Sequence, residues 1–215
     1  MTAATAILEP SHPNSLFGAQ NVDVEEAETN KFLVVSPYTS PPHLLDLPRY
    51  SKASQLFANA LTFFQSVRED YATAEYTKSF NFAQVTETLK FLSREEGYTW
   101  KKTEFYVVSF RSKLSPDADP EKLFQLDAYS HQEAMASGGL LKYWYGVKDQ
   151  DRRNLATCFW ESRQHARDGG RGPWHAKARA AAAVWYESIV FKTYVLTIGD
   201  DVENWDITDF VEKGE

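Results

Sequence analysis

From residue 103 onward the sequence alternates two hydrophobic periods in a fixed order, and few folds are compatible with it. Phe105–Ser112 alternates as a strand does, and Pro120–Ala136 follows at helical spacing up to Gly138-Gly139, glycines suited to closing a helix. Leu140–Val147 and Asn154–Trp160 read as strands joined by the polar turn Lys148–Arg153, hence as a hairpin. Ser162–Asp168 opens a helix that Gly169–Gly172 interrupts. Pro173, at a first-turn position where its missing N–H is no loss, restarts it as far as about Tyr186. Ile189–Ile198 is a fourth strand. The order β-α-β-β-α-β specifies an α+β, ferredoxin-like fold: a four-stranded antiparallel sheet with both helices on one face.

The strands also constrain the other face. Period two sets Phe105 and Val107 against Tyr106, Val108 and Phe110, and Ile189, Phe191 and Val195 against Val190, Tyr194, Leu196 and Ile198. Both faces are therefore apolar. The helices cover one, and the second needs either the N-terminal segment or another copy of the sheet, because so large an apolar patch is rare on a monomer. A homodimer formed through that face is the expectation.

The rest of the chain reads as additions to this domain, residues 101–200. Residues 1–30 mix turn formers with the acidic run Asp23–Glu28 and show no period, so they are expected to be disordered. Residues 31–100 read as an arm. Its prolines Pro37, Pro41, Pro42 and Pro48 favour an extended wrapping segment, followed by helices near 52–70 and near 82–96, the second capped by Asn81 and closed by Gly97. Residues 201–215 read as an acidic tail, facing a basic stretch over 142–192. The net charge of −7 argues against nucleic-acid binding, and no apolar stretch approaches the roughly 20 residues of a membrane span. With Cys158 as the single cysteine and no charged start leading into an apolar region, a cytoplasmic location is expected rather than a disulfide-bonded secreted one.

Three motifs carry a resemblance. Ser137-Gly138-Gly139-Leu140-Leu141-Lys142-Tyr143-Trp144, Phe159-Trp160-Glu161-Ser162-Arg163 and Gly172-Pro173-Trp174-His175 resemble the antibiotic-biosynthesis monooxygenase family over about residues 103–200. The whole chain, including FYVVSFRS, ASGGLLKYW and the arm Pro-Pro-His-Leu-Leu-Asp-Leu-Pro, is similar to a fungal family of uncharacterised proteins of this length. The first resemblance implies a dimeric α+β barrel, with two sheets packed face to face and a pocket between each sheet and its helices. The Gly169–Gly172 insertion and the long arm depart from that family's pattern.

Candidate chemistry is sparse. His175 matches the family's "pH" position and lies by the face of Trp174, Ala178, Ala182 and Trp185, where an imidazole serves as a general base or ligates haem. His131 shares a stripe with Phe124, Ala128 and Met135, and Asp127 four residues earlier is placed to hold its ring. For both, the competing reading is a core histidine satisfied by a neighbour. His12, His43 and His165 receive no role. One cysteine and no histidine pair at i,i+4 argue against a metal site. Tyr106, Phe110, Tyr143, Trp160 and Trp174 are the aromatic candidates for lining a pocket for a flat apolar molecule.

The resemblance implies a cofactor-independent oxygenase acting on an aromatic or polyketide-like substrate, in which His175 removes a phenolic or enolic proton and no flavin or metal is used. Two other readings stay open. One is a non-catalytic binding module for a planar ligand such as haem, and the other is a structural dimer whose pocket is filled.

Overall fold

The structure is a computed structural model in which residues 31–212 are described, so the reading of residues 1–30 lies outside the described residues. The arm begins with two short strands, β1 (Phe32–Leu33) and β2 (Leu45–Asp46), paired antiparallel. Helix α1 (Lys52–Ala60) follows behind Ser51, whose hydroxyl accepts the Ser54 N–H. A short helix α2 (Tyr76–Ser79) and a longer one, α3 (Phe82–Glu95), complete it. The C-terminal part runs β3 (Thr103–Leu114), α4 (Pro120–Ser137), β4 (Leu140–Tyr145), β5 (Arg153–Trp160), α5 (Arg163–Gly169), α6 (Pro173–Trp185), β6 (Tyr186–Ile198) and β7 (Trp205–Asp209).

The sheet order is β4-β5-β3-β6-β7, antiparallel throughout. Its first four members give the ferredoxin-like order, and the β-α-β-β-α-β reading holds. The fifth strand lies inside the segment read as an acidic tail. Trp205 and Ile207 pack on the core while Asp206 and Thr208 alternate with them, and at the strand's end Lys192 meets Asp209 at 2.9 Å.

Register assigns the two faces. Phe105 pairs with Leu196 and Val107 with Tyr194, and all four are buried with Leu155 and Phe159 against Phe57 and Leu61 of the arm. Phe57 lies face to face with Phe105 at 4.2 Å. Tyr106, Val108 and Phe110 point the other way, toward Ala134 and Met135 of α4 and Ala166 of α5. The face read as a dimer interface is therefore covered by the arm, which corrects that expectation. The apolar side chains in the 52–64 stretch supply the cover that a second sheet would have given. The arm also caps the β4 edge, where the Tyr143 N–H donates to Val35 O at 2.9 Å.

The helix expected near 52–70 stops at Ala60, with one 3-10 turn at Leu61–Phe63. Phe64 turns extended to bury its ring against Phe80 at 4.6 Å and Phe159 at 4.9 Å, leaving Phe63 and Val67 exposed. Long-range aromatic packing outweighs the helical period there. Asn81 precedes α3 as expected, but its side chain accepts from the Gln65 N–H and donates to Phe63 O, tying down that turn. Among the described residues no helix is long and apolar enough to cross a membrane.

Candidate functional site

Helix α4 carries the titratable groups of the helix-side layer. Its start is well defined: Pro120 occupies the first turn and the Asp119 carboxylate accepts the Glu121 and Lys122 N–H groups at 3.1 Å. Asp127, Ser130, His131 and Ala134 then follow at the i, i+3, i+4, i+7 spacing of one face, and Ser130, His131 and Ala134 are buried.

Asp127 is the centre of this group. Its Oδ2 accepts the Tyr38 hydroxyl and its Oδ1 accepts the Tyr143 hydroxyl, each at 2.6 Å. Burial pushes the carboxyl above its ordinary range, against the pull of the two phenols. Asp127 does not hold the His131 ring: its oxygens accept phenols from the arm and from β4, and His131 Nδ1 meets His43 instead.

His131 faces a different partner. Its Nδ1 lies 2.8 Å from Nδ1 of His43, and Gln132 Nε2 lies 3.3 Å from the other nitrogen of His43. Tyr38 stacks on His43 at 4.4 Å and tilts against His131 at 5.2 Å, with Tyr143 at 5.5 Å. Nε2 of His131 and Oγ of Ser130 are buried without a partner among the described residues. Rings of Tyr38, His43 and Tyr143 thus lie against His131.

His175 lies at the start of α6. Glu133 Oε1 accepts the Trp174 N–H at 2.7 Å, and Oε2 accepts the His175 N–H at 3.0 Å and meets His175 Nδ1 at 2.9 Å. Burial alone would raise the Glu133 carboxyl, but these N–H groups and the imidazole outweigh it and hold the carboxyl below its usual range. No hydrogen bond or ion pair among the described residues joins His175 to Asp127 or His131; its partner is Glu133.

Gly172 makes this geometry accessible, because a Cβ there would run into the Glu133 carboxylate. Gly172→Ala is expected to displace Glu133 and lower stability by about 1–2 kcal/mol through the lost charge-assisted bonds. Gly170→Ala, where the nearest atom lies at 3.4 Å, is expected to be near neutral. Thermal melts of the two variants check this, and equal melting temperatures would count against it.

Among the aromatic candidates, Tyr106, Phe110 and Tyr143 lie on the helix side of the sheet. Tyr106 meets Phe210 edge-on at 5.2 Å and Phe110 meets Phe191 at 4.9 Å. Trp160 is core, buried against Gly169 of α5. Trp174 is sandwiched between Tyr129 at 4.2 Å and the Lys177 ammonium at 3.8 Å, in the contact between α4 and α6. Helix α6 packs mainly on α4, buries none of its own residues, and adds nothing to the helix-side core. Tyr106, Val108 and Phe110 stay half-buried and Phe191 is 57% exposed, so this side of the sheet retains an apolar, solvent-accessible floor. A separate groove of about 270 Å³ lies between the arm and α4, lined by Pro41, Pro42, Leu44, Arg49, Gln132 and Met135.

Tyr38, His43 and Glu133 are the site residues that local spacing did not single out. Tyr38 and His43 reach α4 across 89 and 88 residues of sequence, and no local pattern marks that contact.

The comparisons with known proteins agree with the whole-chain resemblance. The chain is 37% identical over 185 residues to UPF0643 protein PB2B2.08 of Schizosaccharomyces pombe, spanning 82% of this chain and 83% of that one. Among solved structures, SnoaB, a cofactor-independent oxygenase from Streptomyces nogalater, is similar over 42% of this chain and 90% of its own, at 12% identity and a TM-score of 0.35. Protein SO0527 from Shewanella oneidensis is similar over 44% and 93%, at 14% identity and a TM-score of 0.39. Residues 34–209 match the family described as PB2B2.08-like, and the chain belongs to that family.

Proposed function

We propose that this chain binds a flat, largely apolar molecule bearing an acidic hydroxyl or enolisable carbonyl, on the helix side of its sheet beside His175. The observation that carries the reading is the Glu133–His175 contact at 2.9 Å. A carboxylate beside Nδ1 holds the proton there and leaves Nε2 with a free lone pair, the tautomer a general base needs. The floor of Tyr106, Val108 and Phe110 offers a flat ring system apolar contact.

The catalytic form of this reading is a cofactor-independent oxygenase. Nε2 takes the substrate proton, Glu133 stabilises the imidazolium, and the electron-rich carbanion attacks dioxygen. A CH2 group and O2 then become C=O and water. A second reading rests on Tyr38, whose phenol already occupies Asp127 while its ring stacks on His43 at 4.4 Å. An arm that fills the space in this way suits a structural protein without turnover.

The full-length protein with a tricyclic enolisable ketone, followed by oxygen uptake and by quenching of intrinsic fluorescence, separates these readings. Oxygen uptake is expected to fall about 10²-fold in His175→Gln, with little change in melting temperature. Fluorescence quenching without uptake leaves the binding module. Neither signal, with His175→Gln destabilised by about 1–3 kcal/mol, leaves the structural reading.

A further inference from the structure

We propose that the helix-side site takes an aryl-substituted carboxylic acid, whose ring replaces Phe210 between Tyr106 and Arg163 and whose carboxylate replaces that of Glu212 on the Arg163 guanidinium. This inference rests on the proposed function, in which Tyr106 belongs to the floor that holds the ligand.

The chain's own last residues supply the pattern. Period two in β7 sets Trp205 and Ile207 on the face that packs on the core, so Thr208 and Phe210 fall on the helix side of the sheet. The Phe210 N–H donates to the Thr193 carbonyl at 2.9 Å and extends the contact with β6 one residue past the ladder. From there the Phe210 ring lies edge-on to Tyr106 at 5.2 Å, and the Arg163 guanidinium covers that ring at 5.1 Å. Glu212 then comes back to the same guanidinium, its Oε1 accepting from Nη2 at 2.6 Å. A ring under a guanidinium and a carboxylate bonded to it are the two contacts by which an arginine holds an aromatic acid.

The occupants now in place are weakly held. The Glu212 side chain is 70% exposed and that of Arg163 35%, so water screens their ion pair, and pairs of this kind contribute little. Glu212 also lies beyond the end of β7, where fixing its side chain costs rotamer entropy. One small molecule that carries both ring and carboxylate has less freedom to lose than two side chains on a chain end. Charge selects among such molecules. A neutral ring system replaces Phe210 alone and leaves Arg163 to Glu212, whereas an acid takes both places.

Calorimetric titration of the full chain with 1-naphthylacetate and with its neutral isostere 1-naphthylacetamide tests the proposal. Wild type is expected to bind the acid about threefold tighter than the amide, and Glu212→Gln, at an exposed side chain, to widen that preference to about tenfold by removing the competing carboxylate. Phe210→Ala/Glu212→Gln, which clears both places, is expected to bind the acid about tenfold tighter than wild type does. Arg163→Gln should bring the acid down to the level of the amide. Equal binding of acid and amide by wild type and by Glu212→Gln overturns the proposal while leaving the floor a ligand surface. So does a preference for the acid that Arg163→Gln leaves intact, or an affinity for it that Glu212→Gln does not raise. Binding of neither compound, by wild type or by the double variant, overturns both the proposal and the reading on which it rests.

Discussion

Phe57→Ala is expected to remove about 3–5 kcal/mol of stability. A domain of this kind has only about 5–15 kcal/mol in total, so a large share of the molecules should unfold on mild heating. Phe57 is fully buried, lies face to face with Phe105 at 4.2 Å and edge-on to Phe159 at 6.2 Å. It thus joins the arm to two central strands of the sheet, and truncation leaves a void that α1 and the sheet cannot both close. Six residues on, Phe63 is 56% exposed, and Phe63→Ala should change stability by no more than about 0.5 kcal/mol. Urea melts of the two variants make the comparison. A Phe57→Ala protein as stable as wild type would mean that the arm is an appendage and not part of the core. The same logic predicts that a chain cut back to residues 97–215 is insoluble, because Val107, Leu155, Phe159 and Leu196 lose their cover.

How far the sequence carried the fold depends on where each partner lies. The β-α-β-β-α-β order was legible because each element declares itself by a local period, and the two apolar faces of β3 and β6 announced that something must lie on each side. What lay there was not legible. Phe57 fits a sheet of its own chain as well as a second sheet would, and period alone does not choose between them. The helix end at Ala60 was hidden because Leu61, Phe63, Phe64 and Val67 prolong the apolar spacing, although only Phe64 and Leu61 are buried. In β7, acids mask the Trp205–Ile207 alternation, so composition read as tail what the ladder with β6 makes a strand.

At the site, the i,i+4 spacing of Asp127 and His131 put both on the sheet side of α4 but suggested the wrong bond between them. Asp127 instead accepts phenols from two other elements, O–H···O bonds that are short and strong, while the His131 ring turns to His43 of the arm. Glu133 was overlooked for a related reason. Its role depends on the interruption of the helix before Pro173, where Gly172 leaves room for the Glu133 carboxylate at the N-terminus of α6.

The second large effect concerns acid. His43 and His131 meet through their Nδ1 atoms at 2.8 Å, so one ring must donate and the other accept, and the two rings cannot both be protonated while that contact holds. Burial, reinforced by the neighbouring histidines, holds His131 down to about 3, and burial also lowers His43. A histidine whose folded pKa lies below its unfolded value near 6.5 binds fewer protons in the folded state. Its stabilising contribution is complete above about pH 6.5 and is lost as pH falls toward about 3. For His131 alone the slope approaches about 1.4 kcal/mol per pH unit, or about 2 kcal/mol between pH 6.5 and 5. Asp127 acts in the opposite sense, since burial raises its carboxyl and its ionisation weakens the fold as pH rises above the ordinary carboxylate range. The histidine effect should dominate from pH 6.5 to 5, with loosening that starts where His43 anchors the arm on α4. Urea melts across that range should show wild type losing about 2 kcal/mol, while His131→Phe, which keeps a ring but cannot titrate, should lose much less. Parallel losses in the two proteins would show that the acid sensitivity arises elsewhere and that the His43–His131 contact is not what ties the arm to the helix.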